Sequence, residues 1–207
     1  MPIGANKVNA IGAGGGGSSK AYVTASGGSV TTANHPITGI PLTIHTWQSA
    51  GSSTFSVQDV TGDGQGTIYI WAWGAAGGNG GQGGAGGGSG GYAYGEFESV
   101  TSGTNLYTNV GGGGSNGSGC HGCWGAGGAG SNGSSWCNGG QGRYAGCSGC
   151  SAGGGGGSNF VSGVAVTSTT EAGNYGTVAQ SSHPFRNNAG NRNGGTGRIV
   201  IGYERQS

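Results

Sequence analysis

The sequence predicts a mainly β protein carrying a polyglycine II helix bundle, with essentially no α-helix. Three observations lead there. Short runs of β-branched and aromatic residues alternate with a period of two, as half-buried strands do. Glycine fills 57 of the 207 positions, and inside the glycine tracts the period changes from two to three. No segment places apolar residues at the i, i+3, i+4 spacing of an amphipathic helix.

Residues 1–40 are small and polar, with one loose glycine run from Gly14 to Gly17. They read as an N-terminal attachment arm or as peripheral strands. The rest, 41–207, reads as a single glycine-rich domain interrupted by a cysteine-rich insert at 115–152. Thr43 to Trp47 and Ser53 to Val57 alternate on either side of a Ser-Ala-Gly-Ser turn, which predicts a hairpin. Thr67 to Trp73 is the densest β-former in the chain and predicts a central strand. Tyr92 to Glu98, Asn105 to Val110 and Arg198 to Tyr203 complete the set.

Between the strands the chain from Gly77 to Gly88 runs Gly-Gly-Asn, Gly-Gly-Gln, Gly-Gly-Ala, Gly-Gly-Gly. Gly119, Gly122, Gly125 and Gly128 keep the same step, as do Gly146 and Gly149. A flexible linker has no reason to hold register. A left-handed helix of three residues per turn does, because one edge of each turn is then free of side chains. At about 3.1 Å per residue, Gly77 to Gly88 spans roughly 37 Å. Such a helix satisfies none of its own amides, so its N–H and C=O groups must pair with neighbouring rods, which requires a bundle. Ordering glycine is entropically costly, and the apolar strands at the tract ends are the anchor that offsets it.

Charged residues make up 6% of the chain and the formal net charge is +1. Disordered chains usually combine low hydrophobicity with high charge, so disorder is disfavoured. Only four prolines occur, which argues against a collagen-like helix. No basic footprint for nucleic acid or anionic membrane exists. The longest apolar run, Ile68 to Trp73, falls far short of the ~18 residues of a membrane span. The first residues lack a basic start followed by an apolar stretch, so export by a secretory signal is not expected. Cytoplasmic assembly with release by lysis fits better, giving a virion or extracellular location.

Ordered motifs carry a resemblance. His45-Thr46-Trp47, Thr54-Phe55-Ser56-Val57, an apolar strand running into glycine repeats, and Gly90 to Phe97 come first. Tyr107 to Val110 followed by four glycines, Gly154 to Phe160, and Gly197-Arg198-Ile199-Val200-Ile201 follow. Over roughly 40–203 this order resembles the glycine-rich domain family of phage tail-fibre tip adhesins, other virion proteins and some surface proteins. The resemblance implies polyglycine II helices on a β scaffold and a role in adhesion or in capsid or tail structure. In the tail-fibre members, receptor specificity lies in the loops between tracts. The cysteine-rich insert departs from that pattern.

The insert holds Cys120-His121-Gly122-Cys123 and Cys147-Ser148-Gly149-Cys150, with Cys137 between. In a three-residue helix the two cysteines of a pair stand about 9.3 Å apart, beyond the ~7 Å Cα limit for a disulfide. Two adjacent rods are instead open to two bridges, Cys120–Cys150 with Cys123–Cys147 if antiparallel, or Cys120–Cys147 with Cys123–Cys150 if parallel. Each typically stabilises by about 2–4 kcal/mol. Free thiols and a tetrathiolate zinc site compete with bridging. Zinc suits the pattern less well, because 23 residues separate the pairs where about 15–20 is usual. No metal or cofactor is therefore expected.

His121, Trp124, Trp136 and Tyr144 fall in the same insert and are the candidate binding residues. Their rings either stack on a sugar or partner protein, or cap the rod ends. Asp59 to Gly64 has the start of a calcium loop, but position twelve is Ile70 and not Glu, so a strand-connecting turn is preferred. Gly87 to Gly91 matches G-x-S-x-G only because its surroundings are glycine, with no elbow to expose Ser89. Six carboxylates and four histidines form no acid–base pairing, and Glu96 and Glu98 read as a solvated strand edge. A non-enzymatic virion protein is expected, a tail-fibre or capsid-surface adhesin whose loops contact a host-surface glycan or protein. Its partners would be virion or fibre subunits, including copies of itself, with no nucleic acid and no membrane insertion. A purely structural filament or capsid-cement subunit is the alternative, and an ice-binding protein a more distant one, since Asn79, Gln82 and Trp124 interrupt any flat face.

Overall fold

The computed structural model describes residues 20–62, 65–78, 88–114, 132–133, 137–138, 160–161, 165–173, 178–191 and 194–206. They form twelve strands and no helix. The strands are β1 (Tyr22–Ser26), β2 (Ser29–Asn34), β3 (Pro41–Trp47), β4 (Gly51–Thr61), β5 (Gly66–Trp73), β6 (Tyr92–Val100), β7 (Asn105–Val110), β8 (Asn132–Gly133), β9 (Cys137–Asn138), β10 (Phe160–Val161), β11 (Thr167–Glu171) and β12 (Arg198–Glu204). One sheet runs β1-β4-β7-β8-β9-β10 and the other β11-β6-β5-β12-β3-β2. Every pairing is antiparallel.

Between the two sheets lies a core to which both contribute alternate residues, as a β-sandwich requires. Phe55 and Val57 of β4 and Leu106 and Val110 of β7 meet Ile68, Ile70 and Ala72 of β5, Phe97 of β6 and Ile199 and Ile201 of β12. Burying each large apolar side chain stabilises by about 1.5–3 kcal/mol. The opposite phase of β5 is buried as well: Tyr69, Trp71 and Trp73 pack under Phe185, Ala179 and Ala189. That explains why β5 reads as a continuous apolar run, since a strand covered on both faces has no polar phase. It sits centrally, between β6 and β12.

The expected hairpin of 43–47 with 53–57 does not form. β3 pairs with β2 and β12, whereas β4 pairs with β1 and β7 in the other sheet. The chain crosses between sheets after Trp47, because both strands present large rings to one interior. Trp47 and Phe55 meet edge to face with centroids 6.3 Å apart across the sandwich. A hairpin would have placed them side by side on one sheet. Glu96, expected on a solvated strand edge, is instead paired on both sides, with Tyr69 of β5 and Thr167 of β11; Glu98 lies past the β11 register and is exposed. Strands β1 and β2, inside the segment read as an arm or peripheral strands, enter one sheet each at its border.

At one end of the sandwich, glycine-rich segments pack side by side without belonging to either sheet. Segment 74–78 is bonded by three neighbours. Gly74 N–H donates to Gly91 C=O at 2.8 Å and Gly77 N–H to Gly88 C=O at 2.9 Å. Ala76 N–H donates to Gly195 C=O at 2.8 Å, and Ala76 C=O accepts from Gly114 N–H at 2.8 Å. The backbones approach too closely for side chains: a Cβ on Gly90 would stand 1.8 Å from Gly74 O, and one on Gly113 would stand 1.6 Å from Gly194 O.

Candidate functional site

The outer face of β5 and β6 is covered by two connections. One is the turn 35–40 between β2 and β3, closed by His35 N–H to Ile40 C=O at 2.8 Å and by Gly39 N–H to His35 C=O at 2.9 Å. The other is the strap 178–191, a succession of three-residue turns in which His183, Arg186 and Ala189 N–H groups donate to Gln180, His183 and Arg186 C=O groups. Pro184 occupies the turn position its fixed φ suits. Arg186 rivets the strap from within, its Nη1 donating to Ala189 C=O at 3.0 Å and to Asn191 Oδ1 at 2.6 Å.

A cavity of about 290 Å³ remains between these covers and the edge strand β11. Its walls are His35, Pro36 and Ile37 of the turn, Trp71 of β5, Tyr92 and Tyr94 of β6, Thr167 and Thr169 of β11, and Gln180 and His183 of the strap. Rings dominate. His35 lies 4.7 Å from Tyr69 and 5.5 Å from Trp71, and Trp71 lies 5.4 Å from Tyr94 and 5.0 Å from Phe185 in an edge contact. His183 stacks among Trp73, Tyr92 and Phe185 at 5.2–5.9 Å. At the rim, Ile37 is 85% exposed, a large apolar side chain held in water beside an aromatic chamber.

Both histidines are neutral with assigned tautomers. His35 Nδ1 accepts from the N–H groups of Ile37 and Thr38, each at 3.2 Å, so its proton is on Nε2, which donates to Tyr94 Oη at 3.3 Å. His183 Nδ1 accepts from Phe185 N–H at 3.2 Å, leaving Nε2–H as its donor. Burial lowers the pKa of His35, and it pulls His183 down to about 4, with a smaller push from His35. Burial raises the Tyr94 phenol well above its ordinary range, aided by Glu96 and Tyr69. Among the described residues no carboxylate lines this cavity. Its chemistry is ring stacking with a few neutral donors and acceptors, the Thr hydroxyls, the Gln180 amide and the imidazole.

Gln180 is held in the left-handed region at φ 49°. Glu171, at the end of β11, fixes it by accepting its backbone N–H at 3.2 Å and its Nε2 at 2.6 Å. Strained backbone of this kind persists only where its surroundings hold it.

The residues singled out from the sequence, His121, Trp124, Trp136 and Tyr144 with Cys120, Cys123, Cys147 and Cys150, lie outside the described residues, as does Ser89's partner Gly87 in the G-x-S-x-G match. Cys137 falls in β9, opposite Gly133 of β8 and Val161 of β10. In the calcium-like segment, Asp59 to Thr61 belong to β4, where Asp59 Oδ1 accepts from Val60 N–H at 2.9 Å and from Ser102 Oγ at 3.1 Å; Asp63 and Gly64 lie outside the described residues. Among the described residues no group of three or more His, Cys, Asp or Glu could hold a metal ion, and no helix is long and apolar enough to cross a membrane. The cavity escaped sequence reading because its rings come from positions 35, 71, 92, 94 and 183. The available signal was β5 itself, whose unbroken apolar run demands cover on both faces. No protein-family model and no curated protein matches the chain.

Proposed function

We propose that this chain is a structural and surface-binding protein of a virion, at a tail fibre or capsid surface, whose glycine tracts form a polyglycine II helix bundle on the β-sandwich. The observation that carries the reading is the glycine seam. Four segments exchange backbone hydrogen bonds laterally around 74–78, at separations that no Cβ would permit at Gly90 or Gly113. Glycine there is a packing requirement, and the sequence of the tracts that adjoin the seam keeps a three-residue period. A scaffold of this kind holds loops rigidly, and the cavity beneath the strap, with Ile37 at its rim, is a surface of the sort loops offer to a host-surface glycan or protein. The reading makes the chain non-enzymatic, its partners other virion or fibre subunits.

Immunogold labelling with antibody to the purified chain tests it. Labelling of fibre tips or capsid exteriors, with decoration of host cells by the chain alone, is expected; particles without label would refute it. One observation favours the purely structural alternative: β2 is a border strand with Val30 56% exposed, an edge open to a further strand. A chain that polymerises alone, or co-purifies with capsids and never binds cells, identifies that case.

A further inference from the structure

A second depression of about 330 Å³ opens at the other border of the same sheet, sharing no residue with the aromatic cavity. Ser29 and Thr31 of β2, Thr46 of β3, Gln48, Asn187 of the strap and Arg198 of β12 line it. Arg198 Nη1 donates to Gln48 Oε1. That same oxygen accepts from Asn187 Nδ2 at 2.9 Å, and Gln48 Nε2 donates to Asn187 C=O at 3.2 Å. The amide clamp is thus complete, and Gln48 Oε1, already accepting from Asn187 and from Arg198 Nη1, has no acceptor capacity left for a further N–H of the guanidinium.

Arg198 remains under-compensated. Its Nε is enclosed and has no acceptor, and it is bonded only to neutral groups. The ion pair among the described residues is Lys20–Glu204, elsewhere. A partly buried cation without counter-charge is costly. The clamp is also strained: the non-glycine residues with left-handed φ among those described are Gln180, Asn187 and Asn188, all in the strap. Gln180 lines one depression and Asn187 the other.

We infer that this depression binds the carboxylate of an acidic saccharide, a uronic acid. With Nε enclosed, it is the Nη1–Nη2 edge of the planar guanidinium that matches a carboxylate fork. Among the described residues no second cation lines the depression, which suits a monoanion better than a phosphate. Ser29, Thr31 and Thr46 hydroxyls beside the clamp supply the mixed donors and acceptors that a hydroxylated ring uses. The inference deepens the surface-binding reading above and rests on it for biological meaning, not for chemistry.

The test is calorimetric titration of the purified full chain with glucuronate, glucose and acetate. Glucuronate is expected to bind saturably, about tenfold or more tighter than either comparator, and Arg198→Lys to weaken it about tenfold. Ser29→Ala with Thr31→Val, both on exposed side chains, is expected to leave the melting temperature unchanged and to weaken glucuronate severalfold without affecting acetate. Acetate equal to glucuronate, glucose equal to glucuronate, no saturation, or binding indifferent to Arg198→Lys overturns the inference. Glucuronate bound by a chain that decorates no host cell would leave this site and remove the host-attachment reading. Decorated cells without glucuronate binding would do the reverse.

Discussion

Gly113 and Gly194 are in backbone contact so close that a Cβ on Gly113 would stand 1.6 Å from the Gly194 carbonyl oxygen. Its sequence neighbour Gly112 would place a Cβ no nearer than 3.6 Å from Ala50 Cβ, an ordinary contact. Gly113→Ala is therefore expected to destabilise the fold by about 3 kcal/mol or more, as forced overpacking and backbone displacement do. Gly112→Ala is expected to be neutral or stabilising by up to about 1 kcal/mol through the unfolded chain. Urea denaturation of both variants checks the contrast, and equal effects would mean that the seam is not packed as described.

His45 joins the two sheets through Tyr203. Its Nδ1–H donates to Gly27 C=O at 2.6 Å, so Nε2 accepts from Tyr203 Oη at 3.2 Å, and that oxygen also accepts a backbone hydrogen bond from Ala25. Tyr203→Phe leaves His45 Nε2 and the Ala25 N–H unpartnered in the interior. A loss of about 1–3 kcal/mol is expected, with the denaturant m-value unchanged.

Acid should loosen the strap. His183 has a folded-state pKa of about 4, below its ordinary 6.5, chiefly through burial. The unfolded chain then binds more protons between those values, so stability rises with pH there. The contribution is fully present above about pH 6.5 and lost as pH falls through 4, amounting to about 3 kcal/mol before, and less after, solvent screening of the partly exposed ring. His35 and His45 shift in the same direction by burial. Glu96, raised by burial and then by Glu98, acts in the opposite sense. Melting temperatures from pH 7.5 to 4 should fall, and His183→Gln should flatten the decline.

Bridging of Cys120, Cys123, Cys147 and Cys150 predicts that alkylation before reduction adds at most one label, at Cys137, and alkylation after reduction adds five. Five labels without reductant would indicate free thiols. A chelator-sensitive metal in the intact mass would indicate zinc.

The strands with strong alternation were legible in sequence. β7 occupies Asn105–Val110, where Leu, Thr and Val fix the phase, and β5, at Gly66–Trp73, was legible as an unbroken run of β-formers. β11 was not, because Thr167 to Thr170 are all exposed and an edge strand held by main-chain bonds to β6 carries no apolar signature. The β3–β4 crossover was hidden as well, since a four-residue Ser-Ala-Gly-Ser spacer fits a hairpin or a sheet change equally. What decides is the facing of Trp47 and Phe55, a long-range fact. The aromatic cavity depends on the strap returning over β5 from more than a hundred residues away, and no local pattern encodes that.

Whether the glycine seam is ordered is measured by amide hydrogen exchange read by NMR. Ala76, Gly77, Gly114 and Gly194 all donate backbone hydrogen bonds across it. Their exchange is expected to be slowed at least about a thousandfold relative to an unstructured chain, comparable with the strand amides of β5. Exchange of those four amides at unstructured rates, with β5 still protected, would contradict an ordered seam and return the glycine segments to the status of linkers.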